Sequence, residues 1–190
     1  MLAVLKTTFT SQKMSRFFDI TFVKNTTLIM LGVFALAITA QLRIPLQPVP
    51  LTFQSVTVLL IGVLYGMELG LITVLGYLTL GAFGLPVFAN MSSGFNILLG
   101  ATSGYLVGFI PAVAISAYFT KKGWMKSFHR TLLANSMAIV VIFTLGVSVL
   151  ANFIGWKNAF LGGVMPFIFT ETLKVIALSI FIPSFLKKKD

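Results

Sequence analysis

The sequence predicts an all-α integral membrane protein with six transmembrane helices, and three observations carry that reading. Of the 190 residues, 57% are hydrophobic and only 9% are charged, against roughly 25% charged in an ordinary soluble domain. Mean hydropathy is +1.00. Apolar segments of spanning length recur between polar or Gly-Pro interruptions. The basic residues gather at the ends of those segments, the pattern of a membrane topology signal. The formal charge of +10 therefore does not describe a phosphate-tracking face, and a nucleic-acid role is set aside. With no cysteine, the chain has no disulfide, thiolate chemistry or Cys-ligated metal.

Residues 1–25 carry Lys6, Lys13, Arg16 and Lys24 among modest apolar content. They lack the continuous apolar core and cleavage site of a signal peptide, so a cytoplasmic, amphipathic arm on the membrane surface is expected. Residues 26–190 form the membrane domain. Its helices are read as Thr27–Leu42, Thr52–Tyr65, Leu69–Ala82, Ala101–Phe119, Thr131–Phe153 and Phe160–Leu186. The second and third are short and joined only by Gly66-Met67-Glu68, so one bent, re-entrant hairpin is an equal reading. An even number of passes puts both termini on one side, together with Lys121, Lys122, Lys126, Arg130 and the terminal run Lys187, Lys188, Lys189. Only Arg43 and Lys157 fall opposite. The positive-inside rule makes the basic side cytoplasmic.

Two outward loops stand out. Residues 43–54 hold Pro45, Pro48 and Pro50; residues 84–96 hold Pro86 beside Phe88, Asn90 and Met91. Proline lacks a donor N–H and favours extended chain, so these loops are stiff rather than slack. Irregular backbone at membrane depth is tolerated where it is buried in protein or lines a cavity. The loops are therefore expected to lid a pocket between helices. Gly62, Gly66 and Gly70, and likewise Gly100, Gly104 and Gly108, repeat every four residues; Gly32, Ala35 and Thr39 form a similar small face on the first helix. Such faces allow close helix approach, within the fold or against another subunit.

The chemistry concentrates in the last helix. Of four acidic residues, Glu171 alone lies inside a membrane-length segment, with Lys174 three residues on and so on the same helix face. Each such charge costs roughly 2.5–3.5 kcal/mol at the bilayer centre on insertion scales. A structural salt bridge is the plain reading. A binding site is the better one, because small residues already pack membrane helices without buried charge. One carboxylate makes no acid/base pair, carboxylate relay or metal cluster. The single histidine, His129, sits in a basic loop, no phosphate-binding G-x-x-x-x-G-K-[ST] occurs, and no Ser/His/Asp constellation assembles. Catalysis is not expected; binding and transport remain.

The runs QPVPLTFQ, YLTLGAFGLPVFAN, GATSGYLVGF and PFIFTETLK, ordered between Pro45 and Lys174, resemble the biotin-binding S components (BioY) of energy-coupling-factor transporters. The resemblance implies a six-helix S-component fold in the bacterial cytoplasmic membrane that binds biotin near its outer face. It also implies a transmembrane coupling subunit and two cytoplasmic ATPases as partners; self-association is the alternative. Glu171 stands where many relatives have aspartate, and Ala101 where they have proline. The longer acid moves its oxygens by one methylene and keeps the chemistry.

Biotin has an apolar bicycle, a ureido group with two N–H donors, and a valerate carboxylate. Glu171 is suited to accept ureido N–H bonds, and such charge-assisted bonds are the stronger kind. Lys174 is expected to stabilise Glu171 and to donate to a ligand oxygen. The resemblance adds Asn90 as a polar contact, with Gln54 a further candidate that otherwise satisfies loop backbone. Phe53, Phe88, Tyr105 and Trp156 are candidates to enclose the rings. Gly32, Ala35 and Thr39 are candidates for the coupling-subunit interface. No cofactor or metal is expected. Two other readings are an S component for another vitamin and a structural subunit of a membrane complex; the latter leaves the Glu171–Lys174 pair unexplained.

Overall fold

The computed structural model describes residues 2–187, with side chains from residue 20 onward. Helix α1 (Leu2–Gln41) is followed by a small antiparallel hairpin, β1 (Arg43–Ile44) and β2 (Leu51–Thr52), in which Arg43 faces Thr52. Then come α2 (Gln54–Ala82), the short α3 (Phe95–Leu98), α4 (Ser103–Lys121), α5 (Phe128–Ile154), α6 (Trp156–Gly163) and α7 (Met165–Lys187).

Residues 2–25 do not form a separate element. Backbone helix runs unbroken through α1, whose 40 residues measure about 60 Å at 1.5 Å per residue, twice the roughly 30 Å hydrocarbon core. Residues 20–41 are its apolar, span-length part. The side chains of Lys6, Lys13 and Arg16, on which an amphipathic surface would depend, lie outside the described residues, as do Lys188 and Lys189.

Helix α2 is a hairpin. Gly66 has φ +77° and ψ −169° inside it, a conformation open to glycine because it has no Cβ. The chain doubles back there. A Cβ at Gly70 would lie 3.6 Å from the side chain of Ile61, and Gln54 donates to Tyr77 Oη at 2.7 Å, although in a straight helix those residues would be about 34 Å apart. The arms, 54–65 and 67–82, are about 18 and 24 Å long, shorter than a full span. Among the described residues, five stretches are long and apolar enough to cross a membrane, and the doubling back of α2 makes six helical segments of them.

Close packing joins α4 to both neighbours. A Cβ on Gly104 would collide with the Leu145 carbonyl, and one on Gly108 would sit 2.9 Å from Ile142 Cα. On the other flank, Gly62 meets Ser116 and Val113, and Gly70 meets Val113. The small faces of these helices are thus spent within the chain. So is that of α1: Gly32 is buried against Tyr65 and Thr73, and Thr39 accepts a hydrogen bond from Thr57 at 3.1 Å. The expectation of a partner interface at Gly32, Ala35 and Thr39 yields to internal packing, with Ala35 half-buried beside it. The side of α1 left open is instead formed by Met30, Leu31, Phe34 and Ile38.

The last apolar segment is also divided. Gly155 (φ +78°) starts α6, and Val164, at φ −123° and ψ −55°, separates it from α7. Pro166 occupies the first turn of α7, where its missing N–H costs no intrahelical bond.

Candidate functional site

A cavity of about 340 Å³ lies where α4, α5 and α7 meet the β1–β2 hairpin and the loop after α2. That volume is in the range of small-molecule sites. Its walls are mostly apolar: Tyr105, Leu106 and Phe109 from α4, Ile142 and Phe143 from α5, Phe167 from α7, and Phe88 from the loop. The polar exceptions are few, and they come from distant parts of the chain.

Glu171 is the charged one, and it is buried, 6% exposed. Its Oε1 accepts a hydrogen bond from Lys174 Nζ at 2.6 Å. Its Oε2 has no partner among the described residues. A buried polar atom without a partner forfeits its hydration, so it is rare in a native structure and points to a missing partner. Here the residue also lines the cavity. The cavity wall therefore includes a carboxylate oxygen whose need for a donor is unmet among the described residues.

Lys174 has a different position from the one expected. Its ammonium also donates to the Thr52 carbonyl at 2.6 Å and to Ser55 Oγ at 3.4 Å, and it stands 5.1 Å from the centroid of the Phe53 ring. Three acceptors match its three N–H bonds. With its donors committed and no place in the cavity wall, Lys174 orients Glu171 and ties α7 to the start of α2. Direct donation to a ligand oxygen would require it to give up one of these bonds.

The remaining predicted residues sort by geometry. Phe88 is buried, lines the cavity and packs edge-to-face on Tyr77 with centroids 5.5 Å apart. Gly81 makes that packing possible, since a Cβ there would enter the Phe88 ring. Tyr105 presents its ring to the cavity and donates its hydroxyl to the Gly163 carbonyl at 2.9 Å. Gln54 borders the cavity, but its amide N–H groups serve Tyr77 Oη and, at 3.4 Å, the Leu36 carbonyl. Asn90 lines the mouth, exposed, in a left-handed conformation at φ +62°.

Trp156 does not belong to this group. It opens α6, is 67% exposed and contributes nothing to the cavity wall. Phe53 likewise lies on the Lys174 side rather than in the wall.

Sequence reasoning passed over the residues that hold the loop in place. Gln41, the last residue of α1, donates to the Phe88 carbonyl at 2.9 Å and accepts from the Met91 N–H at 3.1 Å. Arg43 donates to Asn90 Oδ1 at 2.6 Å. The one available signal was a pair of polar side chains, Gln41 and Arg43, at the exit of the apolar part of α1. A second cavity, about 280 Å³, lies between α5 and α7 and shares Phe143, Phe167 and Glu171 with the first.

The model of the BioY family matches residues 8–189. The "Probable biotin transporter BioY" of Pyrococcus horikoshii is 38% identical, over 80% of this chain and 89% of its own. The "Biotin transporter BioY" of Thermotoga maritima is 35% identical, over 80% of this chain and 91% of its own. Among solved structures, the crystal structure of the S-component for biotin from an ECF-type ABC transporter superposes with a TM-score of 0.77. The superposition covers 88% of this chain and 93% of that one at 23% identity, and it shows the shared fold. The fold class read from the sequence is thereby shown, and with its apolar helices the protein is a multi-pass membrane protein. With a family model spanning nearly its whole length, the chain belongs to the BioY family.

Proposed function

We propose that this protein binds biotin in the cavity beside Glu171 and serves as the substrate-specific component of an energy-coupling-factor transporter. The observation that carries the reading is the unpartnered, buried Oε2 of Glu171 on the cavity wall. The ureido ring supplies N–H donors of the kind that oxygen lacks, and its bicycle suits the surrounding Phe88, Tyr105, Phe109, Phe143 and Phe167. The names of the family relatives support the same ligand. The protein is a binding and transport component rather than an enzyme. It works in a bacterial cytoplasmic membrane with both termini inside, alongside a transmembrane coupling subunit and two ATPases. The basic residues of the 121–130 connection and the end of α7 favour that orientation.

Titration of detergent-purified protein with labelled biotin tests the proposal. Saturable binding is expected, displaced by unlabelled biotin and untouched by thiamine or riboflavin. Displacement by either of those vitamins, or no saturable biotin binding by folded protein, would overturn it.

A further inference from the structure

We propose that the second cavity, the groove between α5 and α7, seats one acyl chain of an anionic phospholipid. The proposal needs α5 and α7 to cross the bilayer and does not depend on the biotin reading.

Only the eight-residue α6 separates the two helices, so α7 returns across the membrane beside α5. At one end of the groove Phe143 meets Phe167, with ring centroids 5.4 Å apart. At the other end are Leu132 and Val175. From Leu132 to Phe143 the groove is about 16 Å long, close to half of the roughly 30 Å hydrocarbon core and so one leaflet deep. Its lining is apolar but for Ser136, Thr172 and Glu171, and the Thr172 hydroxyl is spent on the Ile168 carbonyl at 2.6 Å. A held water needs about two to four polar partners, so such walls suit hydrocarbon. Val140 and Ile168, which line the groove and are 61% and 52% exposed, open it sideways to the bilayer. Its volume of about 280 Å³ admits a chain. A helix 10–12 Å across would need roughly 1,200 Å³ over the same length.

Charge marks the headgroup end. Just before Leu132 come His129 and Arg130, and Lys126 closes the short turn Trp124–Lys126, which packs against both α5 and α7. All three are exposed, and the 121–130 connection holds no acidic residue. His129 precedes Leu132 by three residues and Ser136 by seven, so it lies on the groove's own face. A lipid phosphate at that level meets opposite charge. At the other end the chain rests against Phe143, Phe167 and Glu171, the residues that the groove shares with the first cavity. It backs the wall that a ligand meets from within, and it leaves Oε2 of Glu171 only the first cavity in which to find a donor.

Native mass spectrometry of delipidated, detergent-purified protein tests the assignment, by titration with phosphatidylglycerol and with phosphatidylcholine. Wild type is expected to retain one phosphatidylglycerol saturably, and phosphatidylcholine about tenfold less well. Ser136→Phe fills the groove from its wall and Ile168→Trp from its open edge. Each should weaken retention about tenfold, the worth of some two buried methylenes. Val107→Phe, on the exposed side of α4, should change nothing. Arg130→Gln should lose about fivefold for phosphatidylglycerol alone. Melting curves establish which variants are folded, and the half-exposed Ile168 supplies one that leaves the core intact. Unchanged retention by folded Ile168→Trp would place the lipid elsewhere and overturn the proposal. Equal loss from Val107→Phe would show annular lipid only, and equal retention of both lipids by wild type would remove the basic end; either result sinks it. So would a dimer that the groove variants abolish, since the groove would then be a contact between two copies of the chain.

Discussion

Glu171→Gln keeps the size of the side chain, and the structure dictates how the new amide must sit. Lys174 only donates, so the atom facing it must remain the amide oxygen. The NH2 is then forced into the position of Oε2, the atom without a partner. The cavity loses an anionic acceptor and gains a donor at the same point, opposite the ligand's own N–H groups. Loss of a charged hydrogen bond is worth roughly 1.5–3 kcal/mol, about ten- to a hundredfold in affinity, and the facing donors add to it. Glu171→Asp keeps both acceptors and withdraws them by one methylene, so its loss should be the smaller. Calorimetric titration of the purified variants with biotin makes the comparison, with circular dichroism confirming the fold. If Glu171→Gln binds biotin as wild type does, the unpartnered oxygen is not the recognition point and the argument fails.

Other expectations follow from the same geometry. Lys174→Ala should weaken biotin binding at least as much and lower thermal stability too, since breaking a buried pair costs about 3–5 kcal/mol and also releases the Thr52 carbonyl; a binding defect at unchanged melting temperature would contradict its positioning role. Gly104→Ala should lower the melting temperature through about 1–3 kcal/mol of overpacking, because the new Cβ collides with the Leu145 carbonyl; unchanged melting would show that α4 and α5 yield freely. Trp156→Ala should leave biotin affinity as it is, given its exposure outside the cavity, which titration checks. In this cysteine-free chain, an impermeant thiol reagent on intact cells should label Lys157→Cys and spare Lys122→Cys; the reverse pattern would invert the topology.

The parts of this molecule that were legible in the sequence are those set by short-range physics. Glu171 and Lys174 announced themselves because a charge pair within an apolar helix has few plain explanations. The α2 turn was marked by Gly66 between two short apolar runs, and one of the two readings given to that stretch, a bent hairpin, matches the structure. What escaped depends on long-range placement. Gln41 and Arg43 find partners 47 and 50 residues away, in a loop where Asn90 and Met91 both adopt positive φ; no local pattern specifies that backbone. Trp156 was misplaced because the direction of its ring is set by α6, and α6 exists only because the chain breaks at Val164. The small face of α1 showed that close packing was intended. It carried no information on which helix would fill it, and that helix was α2.

The division of labour between Glu171 and Lys174 follows from the environment rather than from residue type. In water, an ammonium at the edge of a binding site would be as natural a ligand contact as a carboxylate. In an apolar helix bundle, each charge must find partners before it can be tolerated, and a lysine has three donors to satisfy. Here Thr52, Ser55 and Glu171 take all three. The carboxylate emerges with one oxygen held and the other without a partner among the described residues. On the proposed reading, recognition is left to the group whose unmet need is an N–H donor. A ligand with only acceptors at its buried end would leave Oε2 unpaired and gain nothing from the most polar point of the cavity. On the proposed reading, discrimination rests on the alternative to the correct ligand being a buried, unsatisfied charge.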